Sequence, residues 1–523
     1  MRQSWPEQQS YYDDRDGLHR TDGGLGHPPS AFSDIPSHMS QEFDPSPYHD
    51  DPYMMTSTSS RPLRSRRSML LVVGGILLVV IVIIIGVSAA GHGPGALAPL
   101  KRHHEKSGME DPDQPVYGTT KNGPKPPKVE VSTEVVNDNR DEFGTTLVSL
   151  YDKYDLDWAT LSDAESPQSK SLLSVTGAAT YEGMATAKKV QRYALGVFYY
   201  STFMRAHAEW TDPTDWVSSH GWLTSADECE WEGIVCDSAT GKVTGILLSK
   251  HALSGYLPLE LALLDQLQEL DLASNFIHMT ESEHHGLRVF GMLPKLVKLQ
   301  MDDNYVMTEG TGLPSSFSKL TNLERLSMSY NLLQGNIDGA VVSQMQKLTH
   351  LEIESNYLSG EIPVELGQLP NLFYLYLRRN ALTIDLTELF VNQVGSYKEI
   401  FSLWLDDNII SGTIPPAIGR LTGLASLSIT NTTLGGSIPS EIGNLFDLQR
   451  LWLYSNDLTG KLPDTLSSLV NLQVLEIYNN EITGKVPEAV CNAVQTADYD
   501  FRSMMVDCSM IECPVGTCCT ECY

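Results

Sequence analysis

Along the last half of the chain, apolar residues recur in the spacing L-x-x-L-x-L-x-x-N, ten times over. The second apolar place falls at Ile246, Leu270, Leu299, Leu326, Leu351, Leu375, Leu403, Leu427, Leu451 and Leu475, so successive copies lie 24 to 29 residues apart. A unit that short hides its apolar side only against the next unit. The pattern therefore predicts an α/β solenoid, a horseshoe coil with a parallel β-sheet on its concave face. In the copy Leu448 to Asn456, Leu451 and Leu453 alternate with Arg450, Trp452 and Tyr454, the period of a short strand with one face buried.

The ninth place is Asn275, Asn304, Asn331, Asn356, Asn380, Asn408, Asn456 and Asn480 in eight copies, with His251 in the first and Thr432 in the eighth. An asparagine carries two donors and an acceptor where the chain turns inward, which predicts a structural ladder satisfying backbone groups, weaker at His251 and Thr432. After it comes L-x-G-x-I-P, as in Leu358-Ser359-Gly360-Glu361-Ile362-Pro363. Glycine permits a tight backbone there, and proline fixes φ at the start of the convex segment. Each copy supplies several aliphatic side chains worth ~1.5–3 kcal/mol apiece on burial, before entropy is subtracted.

These motifs resemble the plant-type leucine-rich repeat of receptor-like kinases, receptor-like proteins and algal relatives. Just before the first copy, Trp222 to Cys236, with Cys229 and Cys236 around Trp231-Glu232-Gly233-Ile234, is similar to that family's N-terminal cap. The resemblance covers roughly residues 190–490 and implies a ligand-binding ectodomain. No Gly-rich loop, H-R-D or D-F-G set accompanies it, so a self-contained receptor kinase is not expected, nor any other enzyme. No cofactor is implied.

Residues 69–91 contain the uncharged, mostly Leu, Val and Ile stretch Met69–Ala90, long enough to cross a bilayer as a helix. Arg61, Arg64, Arg66 and Arg67 crowd its N-terminal side, which predicts a signal-anchored single-pass protein of the plasma membrane, N-terminus cytosolic and repeats outside. In this order the repeats follow the span, whereas plant receptors of this kind place them before it. Residues 1–68 read as a disordered tail and 92–140 as a flexible stalk. Residues 141–240 read as a helical N-terminal cap, with a helix over Ala185–Ala208 and Trp210, Trp216, Trp222 and Trp231 as core anchors; 241–490 are the repeats, and 491–523 a cysteine-rich C-terminal cap.

All eight cysteines lie in the repeat half, two before the first copy and six after Glu488. Disulfides sealing both ends of a solenoid suit the oxidising side of a membrane, with Cys229–Cys236 the expected pair. Six remaining cysteines allow about 15 pairings. A zinc site from Cys513, Cys518, Cys519 and Cys522 is the rival reading. The net charge of −29 makes nucleic acid an unsuitable partner.

Places two, three, five, seven and eight of each copy point off the sheet or its edges. In later copies they gather Phe373, Tyr374, Tyr376, Arg378, Arg379, Phe401, Trp404, Arg450, Trp452, Tyr454 and Tyr478. Aromatic rings with arginine on a rigid face are the stuff of binding hot spots, and predict a site for a peptide, glycan or protein across copies six to ten, with a co-receptor or kinase as signalling partner. Against this stands plain mutual packing of aromatic strand residues. On the binding reading, alanine at Trp404 and Trp452 removes ligand capture and leaves stability nearly unchanged. Asn431-Thr432-Thr433 is a glycosylation sequon at the edge of that face. An adhesion protein holding matrix polymers and an inhibitor of secreted hydrolases are the alternatives. The adjacent His284 and His285, beside Glu281 and Glu283, read as an exposed polar loop rather than a metal site.

Overall fold

In the computed structural model every copy of the repeat becomes one short strand, because the alternation of apolar and polar places lasts only three residues before the chain must turn. The second apolar places stand side by side in parallel register, from Ile246 opposite Leu270 through to Leu451 opposite Leu475. All ten are fully buried. The structure describes residues 142–178, 181–203, 216–281, 286–392, 397, 399–496, 503–513, 519 and 521–522. The expected tail, membrane segment and stalk lie outside the described residues, as do Trp210, Glu283, His284, His285 and Cys518. Among the described residues no helix is long and apolar enough to cross a membrane.

The strands form one long sheet of thirteen members among the described residues. Its first strand, β1 (Ile234–Cys236), runs antiparallel to β2 (Val243–Leu247) and so covers an edge that would otherwise offer unpaired backbone groups. Cys229 and Cys236 are joined by a disulfide beside that edge. At the far end Ser503–Val506 continues the sheet with Met504 opposite Leu475, and Glu521–Cys522 follows. The repeat spacing does not announce this eleventh strand, since methionine replaces leucine and no asparagine follows. Instead the Asp507 carboxylate accepts the N–H groups of Asn479 and Asn480 at 3.0 and 3.1 Å.

Cys508 pairs with Cys522 and Cys513 with Cys519, while Cys491 is also disulfide-bonded. Those sulfurs are therefore not zinc ligands, which removes the rival reading. Among the described residues the segments after the ninth place, mostly L-x-G-x-I, build a second sheet of eight strands and a further three-stranded one in the early copies. Pro258, Pro314, Pro363, Pro415, Pro439 and Pro463 each stand immediately before a single helical turn, extended at φ −58 to −77°. That is the position where a missing N–H costs nothing.

The asparagine ladder takes up the polar backbone between the two sheets. Asn356 is buried; its Nδ2 donates to the carbonyls of Met328, Ile353 and Glu354, and its Oδ1 accepts the N–H of Leu333 at 3.0 Å. Thr432 departs from this as the spacing predicts. Its hydroxyl donates to Asn456 Oδ1 and accepts from Leu434 N, with no side-chain bond back to copy seven among the described residues. At His251 no earlier copy exists to be reached, so Nδ1 meets the Ser249 carbonyl instead.

Before the first repeat, α1 (Glu142–Tyr154), α2 (Pro167–Thr176) and α3 (Thr186–Thr202) pack together, burying Phe143, Leu147, Tyr151, Leu172, Tyr193, Leu195 and Phe198. The helix of the sequence reading begins as expected, but Phe203 already leaves the helical region. Backbone meets backbone at Gly255, held at φ +129°, where a Cβ would lie 2.1 Å from the Ser201 carbonyl oxygen. Trp216, Trp222 and Trp231 are buried, with Trp222 4.9 Å from Trp216 and 5.3 Å from Trp231. Arg192 of α3 pairs with fully buried Glu228 at 2.8 Å, and Gln191 Oε1 accepts the N–H of Val243. These contacts tie α3 to β2.

One more contact joins three helices to the first convex turn. Glu260 Oε1 accepts from the Tyr151 hydroxyl and from Gln168 Nε2, and the Tyr151 and Tyr193 hydroxyls share a hydrogen bond. Burial raises the Glu260 carboxyl above its ordinary range, outweighing those hydrogen bonds. Folding thus favours the protonated acid. Its contribution is complete below the ordinary glutamate pKa of about 4.3 and is lost as pH climbs through the raised folded value. Glu260→Gln keeps the acceptor and cannot ionise, so its thermal midpoint should overtake that of the wild type as pH rises from about 4 to 8. Parallel curves across that range would show that Glu260 stays ionised in place.

Candidate functional site: the outer face of the long sheet

The face turned away from the leucines is written by places three, five and seven of each copy. Tyr376 stacks on Trp404 with ring centres 4.3 Å apart, Trp404 meets Trp452 edge-on at 6.3 Å, and Tyr454 lies flat on Tyr478 at 4.7 Å. Toward the earlier copies His350 stacks on Tyr374, whose ring meets Phe401 at 5.8 Å. Parallel pairing brings most of these rings together, because residues 24 to 28 apart in sequence become direct neighbours across the ladder, while Trp404 and Trp452 lie two strands apart and meet across the small Ser428.

The rings are not equally open. Trp404 is 4% exposed and Trp452 2%, and Tyr454, Arg378 and Arg450 are also buried. Phe373, Tyr374, Tyr376, Phe401, Tyr478 and Arg379 are half-buried. The Trp404 indole donates to Ser426 Oγ at 3.1 Å. An alanine at Trp404 or Trp452 therefore removes interior packing, and the expectation that stability would be untouched does not hold for these two positions.

Arg378 is held by Glu354 through two bonds, Nε to Oε2 at 2.6 Å and Nη2 to Oε1 at 3.0 Å, with its guanidinium 4.8 Å from the Trp404 ring centre. Arg379 pairs more loosely with Asp407 at 3.7 Å. These two occupy places seven and eight, and place eight has a backbone feature the sequence does not display. From Lys250 to Asn479 all ten residues there have φ between 51 and 59°. None is glycine, although that region suits Asn and Asp better than Tyr330 or Arg379. Asn431 is one of them and is exposed, while the sequon's Thr433 hydroxyl donates to the Ile410 carbonyl.

Two acidic brackets also escaped the sequence reading. Asp302 Oδ1 accepts from Ser327 Oγ at 2.6 Å and Ser329 N at 2.8 Å. Asp406 Oδ1 repeats this with Ser428 Oγ at 2.6 Å and Thr430 N at 2.8 Å. The signal was present as Asp at place seven followed by Ser at place five of the next copy. Burial raises both carboxyls, against the pull of those hydrogen bonds. Burial likewise pushes Glu352 up to about 7, although Arg325 lies 3.0 Å away. Asp406 and Asp407, adjacent in sequence, face different surroundings: the first is buried beside Ser428, the second half-exposed beside Arg379.

Residues 347–369, 447–469 and 471–493 match the Leucine Rich Repeat family. The chain is 33% identical over 199 residues to Receptor-like protein 39 of Arabidopsis thaliana, an alignment covering 37% of this chain and 21% of that protein. It is 30% identical over 183 residues to Receptor-like protein kinase BRI1-like 3 of the same plant, covering 34% and 15%. The chain thus spans about a fifth of the length of the curated relatives it matches first. Among solved structures, the Arabidopsis receptor kinase HAESA in complex with the peptide hormone IDA and the co-receptor SERK1 is similar at 28% identity and a TM-score of 0.45, covering 52% of this chain and 48% of that one. The plant peptide hormone receptor RGFR1 in complex with RGF2 gives 28% and 0.43, covering 51% and 39%. The parallel ladder, asparagine column and L-x-G-x-I-P turns of the repeat region are thus those of leucine-rich repeats similar to the ones in plant receptor-like proteins.

Proposed function

We propose that the chain is a single-pass membrane receptor-like protein, N-terminus in the cytosol, whose repeats lie outside the cell and bind a peptide, glycan or protein on the concave face of copies six to ten. The observation that supports this reading is the gathering of aromatic rings and arginines on the strands of copies six, seven, nine and ten, from Tyr374 to Tyr478. Trp404 and Trp452 form its rigid floor; Phe373, Tyr374, Phe401, Arg379 and Tyr478 offer the area a partner would cover. Rings already fixed by their neighbours lose little entropy on binding. The kinship with Receptor-like protein 39 supports a receptor role. A glycan at Asn431 would stand at the edge of this face, and a partner kinase or co-receptor would carry the signal inward.

The test displays the full chain on intact cells with a tag at each end and compares it with the Tyr374→Ala/Phe401→Ala variant. External protease should remove the C-terminal tag and spare the N-terminal one. Retention of secreted peptides or proteins, identified by mass spectrometry, should fall at least about tenfold in the variant, as loss of hot-spot rings does elsewhere. Equal retention, or a protected C-terminal tag, would sink the reading.

A further inference from the structure

Place five of consecutive copies runs Gln300, Ser327, Glu352, Tyr376, Trp404 along the sheet, so an acid lies between a buried serine and the first stacked rings of the array. The Ser327 Oγ stands 2.6 Å from Asp302 Oδ1 of the copy before and 3.1 Å from Glu352 Oε2 of the copy after. A serine hydroxyl has a single proton to donate. The two carboxylates approach from strands on opposite sides of its own, so that proton serves one of them. The other contact is a hydrogen bond only when a carboxyl brings a second proton. Asp302 Oδ1 accepts from Ser327 and also from Ser329 N at 2.8 Å, as an anion does. Glu352 holds the longer contact and is therefore the donor. Burial pushes its carboxyl up to about 7; Arg325, 3.0 Å away, pulls it down and Asp302 adds to the rise. The later bracket of Asp406 and Ser428 lacks this third member, because Trp452 stands at place five of the next copy.

We propose that Glu352, Ser327 and Asp302 form a proton-held clasp across copies three to five, closed in acid and opened when Glu352 releases its proton to water. Closed, Glu352 donates to Ser327 and Ser327 to Asp302. Opened, Arg325 still holds Glu352 through Oε1, while Glu352 Oε2 and Asp302 compete for one hydroxyl proton. The other ionisable groups around Glu352 are His350 and Glu354 on its own copy, Tyr374, Tyr376 and Arg378 on the next, and Lys298 two strands back. Tyr376 is the ladder partner of Glu352, so the change is felt first at the ring that stacks on Trp404. The folded chain holds this proton more tightly than the unfolded one. The clasp's contribution is thus complete below the ordinary glutamate value of about 4.3 and is lost as pH rises through about 7. It involves no ligand, and it stands or falls apart from the receptor reading.

Amide hydrogen exchange by mass spectrometry on the full-length protein tests it, comparing wild type with Glu352→Gln at the same pH so that intrinsic exchange rates and the other titrating groups cancel. The glutamine amide donates to Ser327 at every pH and keeps an oxygen for Arg325. Over Arg325–Ser327 and His350–Glu352 the two proteins should exchange alike at pH about 4. At pH about 8 the wild type should exchange at least about tenfold faster, the scale of one unit of pKa shift. Ser426–Ser428, beside the bracket without a third member, should match in both proteins at both pH values. On a Ser327→Ala background the same comparison should lose most of its pH dependence. Equal exchange at pH 8, or a difference that is the same at both pH values, overturns the proposal. A full-sized pH dependence without the serine oxygen also overturns it, since burial of Glu352 alone would then be the cause.

Discussion

Alanine at both Trp404 and Trp452 is expected to unfold copies seven to nine well before the rest of the solenoid. Each indole is buried in a ring array: Trp404 against Tyr376 at 4.3 Å and hydrogen-bonded to Ser426, Trp452 in a cluster with Tyr454, Val474 and Tyr478. Large-to-small replacement of an interior tryptophan costs ~3–5 kcal/mol, through lost transfer energy and the cavity left behind. The rings touch at 6.3 Å, so the two losses will not simply add. A repeat array is held by neighbour-to-neighbour interfaces, and weakening it at two nearby copies splits its cooperative transition. Urea unfolding followed by circular dichroism should show an early phase in the double variant and a single later transition in Trp404→Phe, which keeps a ring against Tyr376. An unshifted midpoint in the alanine variant would mean that the rings lie on open surface and contribute only to recognition. Because stability is at stake, loss of binding in that variant says little by itself, and the half-buried Tyr374 and Phe401 are the better probes of ligand capture.

The second large effect concerns the asparagine column. Asn408 Nδ2 donates to the carbonyls of Leu377, Leu405 and Asp406 at 2.9 to 3.2 Å, and Oδ1 accepts the N–H of Leu382 at 3.0 Å. Asn408→Ala strands these groups away from water. A buried polar group left unmade costs ~1–3 kcal/mol, and with several deprived at once the variant should lose ~3–5 kcal/mol. One copy later the chain already carries the defect, since Thr432 serves Asn456 and Leu434 but not copy seven. Thr432→Asn should therefore gain about 1 kcal/mol, the ordinary net worth of a restored bond. The opposite signs of neighbouring substitutions make a sharp comparison. Hydrogen exchange at the amides of Leu405 to Ile410 should slow in Thr432→Asn, and unchanged exchange would show that Thr432 fills its place as well as asparagine does.

The spacing of leucines carried the register of the long sheet, the ladder of asparagines and its gap at Thr432, because each depends on contacts between one copy and the next at a fixed interval. A period is a local property, and a side chain at the second apolar place meets its counterpart whatever else the chain does. The prolines before six of the helical turns were legible for the same reason. What the spacing could not convey was any property requiring several copies at once. Trp404 and Trp452 read as outward-facing strand residues, yet rings from three or four neighbouring strands enclose them; Arg378 reads as a free cation, yet Glu354 one copy earlier takes both ends of its fork. The left-handed backbone at place eight leaves no mark because no glycine occupies it, the turn itself imposing φ on whatever residue stands there. The strand at Ser503–Val506 needed only a sheet edge to pair with, not the leucine that would have betrayed it. Sequence determined the coil, since burying one apolar stripe per copy has a single repeating solution. Tertiary structure alone decided which outward side chains are packed and which charged groups hold one another, since burial and electrostatic balance are sums over neighbours that stacking brings together.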